Sequence, residues 1–154
     1  LIGDKTNREG HAAKVYFNGL FGNGFVRNSI DNINNALNYG YSILLSTITK
    51  EIINNGYITQ LGIHHKNEFN EFNLSCDLME PFRVIIDNFV YYNANRNLDK
   101  EYKLDLINIF NHTYKYENKM FTLKDIIKLY VKNTLEIISN SELDNYKEFI
   151  YYEG

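Results

Sequence analysis

Apolar positions recur at threes and fours along most of this chain, a spacing that predicts a protein built almost wholly of helices. The clearest run is Ile33, Leu37, Tyr41, Leu44, Ile48 and Ile52, one stripe of a helix expected from about Asp31 to Asn54, with Asn55-Gly56 as its left-handed exit. A shorter helix is expected before it, from about Asn7 to Phe21. Thr6 can cap its start, Glu9 stands three residues on, and Gly22 with Gly24 stops it. Gly40 sits inside the long helix at a cost of about 1 kcal/mol against alanine, so close packing or a nearby ligand should need that position bare.

The period breaks from Gly56 to Asn73, predicting a loop or short extended stretch that carries Gly62, His64 and His65. A third helix is expected from near Ser75 or Asp77 to about Tyr92, with Leu78, Phe82, Ile85, Phe89 and Tyr92 inward and Pro81 in or just past its first turn. Asp99 to Phe110 reads as a helix, and Thr113 to Phe121 as a short hairpin turning at Glu117-Asn118. Thr122-Leu-Lys-Asp125 caps a helix running to about Ser139, and Ser141 opens a last one. The expected fold class is all-α, a multi-helix domain over residues 1–154 with room for one short β-hairpin.

Composition adds limits. A single proline suits a helical chain, because proline breaks helix interiors. Apolar residues at 44% and charged residues at 23% are those of an ordinary globular domain, and 154 residues can bury one core. The net charge of −3 argues against binding nucleic acid by bulk charge, although 16 Lys and Arg leave room for a local basic rim. The lone Cys76 rules out an internal disulfide framework and suits a reducing cytoplasm. With no run near the roughly 18 apolar residues of a membrane span and no leader pattern, the expectation is a cytoplasmic protein with no membrane partner. A chain that opens on Leu1, with a helix starting a few residues later, reads as a piece of a longer one.

Three places could carry chemistry. Glu9 fits a capping box with Thr6, yet by helix geometry it lies within about 40° of Ala13, Tyr16 and Leu20, a stripe expected to face the core. A carboxylate there needs a cation or a strong donor, so cap, ion pair and metal ligand all remain open. His64 and His65 are adjacent, and in an extended segment they point to opposite sides, so at most one serves a given site. Asp77 and Glu80 are three apart and share a helix face amid Leu78, Met79, Pro81 and Phe82. They suit helix-start electrostatics, or a divalent ion that relieves their repulsion. Two or three carboxylates with one imidazole suit magnesium or manganese better than structural zinc. No phosphate-binding or dinucleotide glycine motif is present. His11 and His112 read as ordinary.

Four stretches resemble the catalytic domain of the CRISPR-associated integrases, the family of the first Cas protein, in the form found in type II systems. They are Asn7-Arg-Glu-Gly-His-Ala-Ala-Lys-Val-Tyr-Phe17, Ala36-Leu-Asn-Tyr-Gly-Tyr-Ser-Ile-Leu44, Gln60-Leu-Gly-Ile-His-His65 and Asn73-Leu-Ser-Cys-Asp-Leu-Met-Glu-Pro-Phe-Arg83. The likeness covers roughly Gly3 to Val90 well and the tail loosely. It implies a metal triad on Glu9, His65 and Glu80, using Mg2+ or Mn2+. His65 is favoured over His64 because the family's Gly-x-x-His pattern starts at Gly62. Asp77 matches a further acidic position near the metal.

The resemblance also implies DNA integration. Together with the second CRISPR-associated protein (Cas-two), such an enzyme joins the 3′ ends of short double-stranded foreign DNA to a CRISPR repeat. It forms a homodimer through an N-terminal β domain that nothing in this sequence supplies, so little integration is expected from this piece alone. Arg8, Lys14, Lys66 and Arg83 flank the expected ligands and are candidates for phosphate contacts; a solvated face is the other reading for each. Two rival functions are a plain metal-dependent nuclease with no integrase role, and a non-catalytic helical interaction module.

Overall fold

The computed structural model describes residues 8–64, 67 and 69–140. The helical expectation holds: six α-helices and a two-stranded hairpin make up most of the described chain. α2 (Asn32–Asn54) is the central element and packs against α3 (Asn73–Met79), α4 (Arg83–Tyr92), α5 (Lys100–Asn108) and α6 (Leu123–Asn140). Its predicted stripe is the core: Leu37, Leu44, Ile48 and Ile52 are fully buried, each side chain contributing about 1.5–3 kcal/mol by leaving water. α6 answers with Ile126, Ile127, Tyr130, Val131 and Leu135, again at threes and fours. No helix among the described residues is long and apolar enough to cross a membrane.

Local chemistry explains the element boundaries. Asp31 caps α2, its Oδ1 accepting from the Asn34 amide at 2.7 Å. Thr122 and Asp125 cap α6 reciprocally: the Asp125 amide donates to Thr122 Oγ1, and that hydroxyl donates to the Asp125 carboxylate at 2.6 Å. Between the two falls the hairpin, β1 (Thr113–Tyr116) antiparallel to β2 (Lys119–Thr122), turning through Glu117 and Asn118 as the sequence predicts. Both turn residues have positive φ, the two-residue geometry whose twist matches that of paired strands. The helix expected from Ser141 and the cap expected at Thr6 lie outside the described residues.

One element departs from expectation. The third helix starts at Asn73 rather than Ser75 or Asp77, and it is two helices: α3 ends at Met79, a 3-10 turn covers Glu80–Phe82, and α4 begins at Arg83. Pro81 therefore sits at a break within the element and not at its start. It has no N–H to donate to the Asp77 carbonyl, and its ring crowds that carbonyl, so the α-pattern cannot run through it. Phe82 holds the break in place, fully buried with its ring edge-on to Tyr130 of α6 at 5.2 Å.

Close packing, not a ligand, is what keeps Gly40 bare. A Cβ there would lie 2.5 Å from Ile86 Cγ2 on α4. Gly40→Ala should cost about 1–3 kcal/mol through overpacking, against a helix-propensity gain of about 1 kcal/mol. In a double-mutant cycle with Ile86→Ala, chemical denaturation should show the pair losing less than the sum of the single losses. Additive losses would mean the contact is not what holds that position.

The Asp31 cap should carry a pH signature. Partial burial pushes its carboxyl up, but the Asn34 amide, Ser29 and the Asn34 side chain together hold it below the ordinary 3.8. A depressed folded pKa gives stability that is present above pH 3.8 and lost as pH falls through the folded value. Asp31→Ala should therefore cost about 1 kcal/mol at pH 7, a difference that shrinks below pH 3.8 in melts run across pH.

Candidate functional site

α1 (Arg8–Phe21) contains no buried residue. Its attachment lies in its C-terminal half, where Phe17 and Phe21 are half-buried against the core. They stack on one another at 6.3 Å, and Phe21 meets Phe25 at 4.9 Å and Tyr91 of α4 at 6.3 Å. This corrects the expectation that Glu9, Ala13, Tyr16 and Leu20 face the core: Glu9, Ala13 and Tyr16 are exposed and Leu20 is only half-covered. The phenyl rings on the neighbouring face win that contact. Glu9 thus loses little hydration and needs no cation merely to exist where it does.

What Glu9 meets is the histidine loop. Its Oε1 lies 3.3 Å from His64 Nε2, across 55 residues of sequence. Both side chains are more than half exposed, and exposed pairs of this kind contribute about 0–1 kcal/mol, so stability alone does not account for the meeting. His65 and Lys66 lie outside the described residues.

The loop is held from beneath. The backbone N–H groups of Ile63 and His64 donate to Asp77 Oδ2 at 2.6 and 2.9 Å. Asn73 is buried at the start of α3 and donates through Nδ2 to the carbonyls of Gln60 and Asn67. The buried Thr59 hydroxyl donates to the Glu71 carbonyl, and the Leu74 amide donates to the Thr59 carbonyl. A segment without regular structure is thereby fixed at its base, with the His64 backbone among its anchored positions.

Asp77, near the end of α3, and Glu80, at the start of the 3-10 turn, meet different donors. Asp77 serves the loop amides, whereas Glu80 accepts from Arg83 Nη1 at 2.8 Å. The Arg83 guanidinium in turn lies 4.5 Å above the Tyr41 ring, so this candidate phosphate contact is already engaged with two side chains. Arg8 and Lys14 are exposed on α1.

Beside these lies a cluster that sequence reasoning missed. Asp87, buried on α4, accepts from Tyr16 of α1 at 2.9 Å on Oδ2, and from Tyr41 of α2 on Oδ1. Burial pushes the Asp87 carboxyl above the ordinary carboxylate range, while the phenol hydrogen bonds and the Arg83 and Arg27 charges pull it down. Both phenols rise well above the ordinary range, through burial first and the Asp87 charge second. The available signal was an acid inside the apolar run Val84-Ile85-Ile86-Asp87, where a carboxylate demands donors.

Among the described residues, no three His, Cys, Asp or Glu side chains converge as a ligand set. The donor chemistry still fits a hard divalent ion: a carboxylate and an imidazole already within 3.3 Å, with no thiol beside them.

This helical domain sets an exposed acid of one helix against a buttressed histidine loop, and comparison with known proteins gives its family. The family model described as "CRISPR associated protein Cas1" matches residues 6–108, and the chain belongs to that family. A CRISPR-associated endonuclease Cas1 of Neisseria meningitidis is 42% identical over 85 residues, covering 55% of this chain and 28% of its own length. Another, from Francisella tularensis subsp. novicida, is 31% identical over 169 residues, covering 97% of this chain and 52% of its own. The chain thus spans about half, or less, of the length of these relatives.

Two solved structures share the fold. A casposase bound to integration product aligns with TM-score 0.69 and 23% identity over 93% of this chain and 53% of its own. A CAS1 protein from Thermotoga maritima aligns with TM-score 0.68 and 19% identity over 92% and 52%.

The buttress under the loop can be tested directly. Asp77→Ala should leave two amides without their acceptor, costing about 1 kcal/mol and speeding hydrogen exchange at Ile63 and His64. Unchanged exchange at those two amides would mean that the loop is held by Asn73 and Thr59 alone.

Proposed function

We propose that this chain is the catalytic, metal-binding domain of a CRISPR-associated integrase, which joins the 3′ ends of short double-stranded foreign DNA to a CRISPR repeat. The observation that carries the reading is the meeting of Glu9 with the histidine loop, in a chain whose Cas1 match spans both. The relatives named as endonucleases, and the fold shared with a casposase solved on its integration product, make DNA cleavage and joining the chemistry to test.

In this reading Glu9, His65 and Glu80 hold Mg2+ or Mn2+. When bound, the ion supplies positive charge that activates a 3′-hydroxyl and stabilises developing charge on the phosphodiester. The protein's own residues do the positioning. Asp77 fixes the backbone at Ile63 and His64, so the loop presents the His64 imidazole toward α1. Arg83 orients the Glu80 carboxylate from one side and leaves its other oxygen for a ligand. Arg8 and Lys14 stand within about a turn and a half of Glu9 on an exposed helix, where they can meet phosphate, and Lys66, outside the described residues, follows the histidine pair in the sequence. A homodimer and the second CRISPR-associated protein, Cas2, complete the working assembly.

The experiment is strand transfer by the natural protein with Cas2, in magnesium and in manganese, from a labelled duplex into a repeat-bearing plasmid. Glu9→Ala, His65→Ala and Glu80→Ala should each lower joining by at least about 100-fold, the size expected when a group acting on the transition state is lost. Hydrolysis of DNA without joining would identify a plain nuclease. Joining unchanged in all three variants would overturn this assignment of the site, and neither joining nor hydrolysis by the unaltered protein would leave a helical interaction module.

A further inference from the structure

We infer that Asp87 is a positioning residue for both candidate acids: one buried carboxylate, bonded by a tyrosine from α1 and another from α2, sets where Glu9 and Glu80 sit. The inference rests on the function proposed above and assigns the cluster which that function leaves unused.

The first arm runs to Glu9. α1 is attached to the core by Phe17 and Phe21, whose apolar ring contacts are less directional than a hydrogen bond. The Tyr16 hydroxyl adds a directional bond of 2.9 Å to Asp87 Oδ2. Tyr16 follows Glu9 by seven residues, about 20° short of two full turns and about 10.5 Å along the axis, so the two share one helix face. Fixing the rotation at Tyr16 therefore fixes it at Glu9. A rotation of about 20° at a side-chain radius of about 5–6 Å moves the carboxylate by about 2 Å. That displacement breaks a 3.3 Å approach to His64.

The second arm runs to Glu80. Tyr41 donates to Asp87 Oδ1, which holds its ring as the floor on which the Arg83 guanidinium lies at 4.5 Å. Arg83 then donates to Glu80 Oε1 at 2.8 Å. The path from α1 to the 3-10 turn is thus Tyr16, Asp87, Tyr41, Arg83, Glu80, with a direct side-chain contact at every step. Stability alone is a poor reason for it. Buried charges can often be replaced by apolar groups without loss, whereas a carboxylate with two donors gives defined directions.

The test uses the natural protein with Tyr16→Phe and Asp87→Asn. Ile127→Val, in the core on α6, reports what a small stability loss does by itself, and Glu9→Ala reports whether the site is correctly read. Three readouts are taken: Mn2+ affinity by calorimetry without DNA, hydrogen exchange of the α1 amides, and joining as a function of Mn2+. Tyr16→Phe and Asp87→Asn should weaken Mn2+ binding by about 10-fold or more, the range seen when a residue that orients a ligand is lost. Exchange should quicken across α1, and Tyr16→Phe should recover joining to within about threefold at saturating Mn2+. Ile127→Val should move none of these.

If Glu9→Ala abolishes Mn2+ binding while Tyr16→Phe and Asp87→Asn bind it like the wild type, the positioning role is wrong and the site stands. The positioning role is equally wrong if the two variants shift no more than Ile127→Val. If Glu9→Ala itself binds Mn2+ and joins DNA normally, the reading of the site fails and this inference falls with it. Should Asp87→Asn fail to fold, Tyr16→Phe, which keeps the ring and removes only the hydroxyl, decides alone.

Discussion

A helix with no buried residue has to be aimed by contacts further along its length. α1 is such a helix, and it carries Glu9 in its first turn. Its phenyl rings bind it to the core near its C-terminus, and the Tyr16 hydroxyl bonded to Asp87 gives it a direction. From that constraint follow the reach of Glu9 to His64 and, through Tyr41 and Arg83, the setting of Glu80. The core itself is ordinary, a central α2 wrapped by four helices, and its task here is to hold Asp87 and Tyr41 still.

The acids of this region divide their work by environment. Asp77, near the end of α3, stabilises a loop by accepting backbone amides. Glu80, one residue before the proline that breaks the element, is turned toward Arg83. Asp87, one turn into α4, is buried and bonded by two phenols. Glu9 is largely open and faces an imidazole. Four carboxylates of similar intrinsic chemistry thereby acquire four roles, set by what donates to each.

The helices that form the core are legible in the sequence because each buries one face at the helical period. α2 matches its stripe, α6 its expected extent, and the Glu117-Asn118 turn announces its hairpin. The position of Pro81 is not legible in the same way, because a proline is tolerated both in a first turn and at a break, and periodicity does not separate the two. Nor can a single helix pattern say whether Tyr16 or Phe17 marks the buried side, which is why Glu9 reads as core-facing in the sequence and is exposed in the fold. The approach of Glu9 to His64 cannot be read from spacing at all, since it depends on how a loop folds over α3. There the family likeness offers an expectation that periodicity does not, on Glu9, His65 and Glu80, and His65 lies outside the described residues. Asp87 stands in the sequence as one acid in an apolar run, and the lack of any solvent-facing reason for it is the sign that it has internal donors.

The most direct test is anomalous diffraction from crystals of the natural protein soaked in manganese. A manganese peak is expected between the Glu9 carboxylate and the His64-His65 loop, with Glu80 reaching the same ion. A peak held by other groups, or Glu9 turned away from the loop with no ion beside it, would contradict the proposed centre.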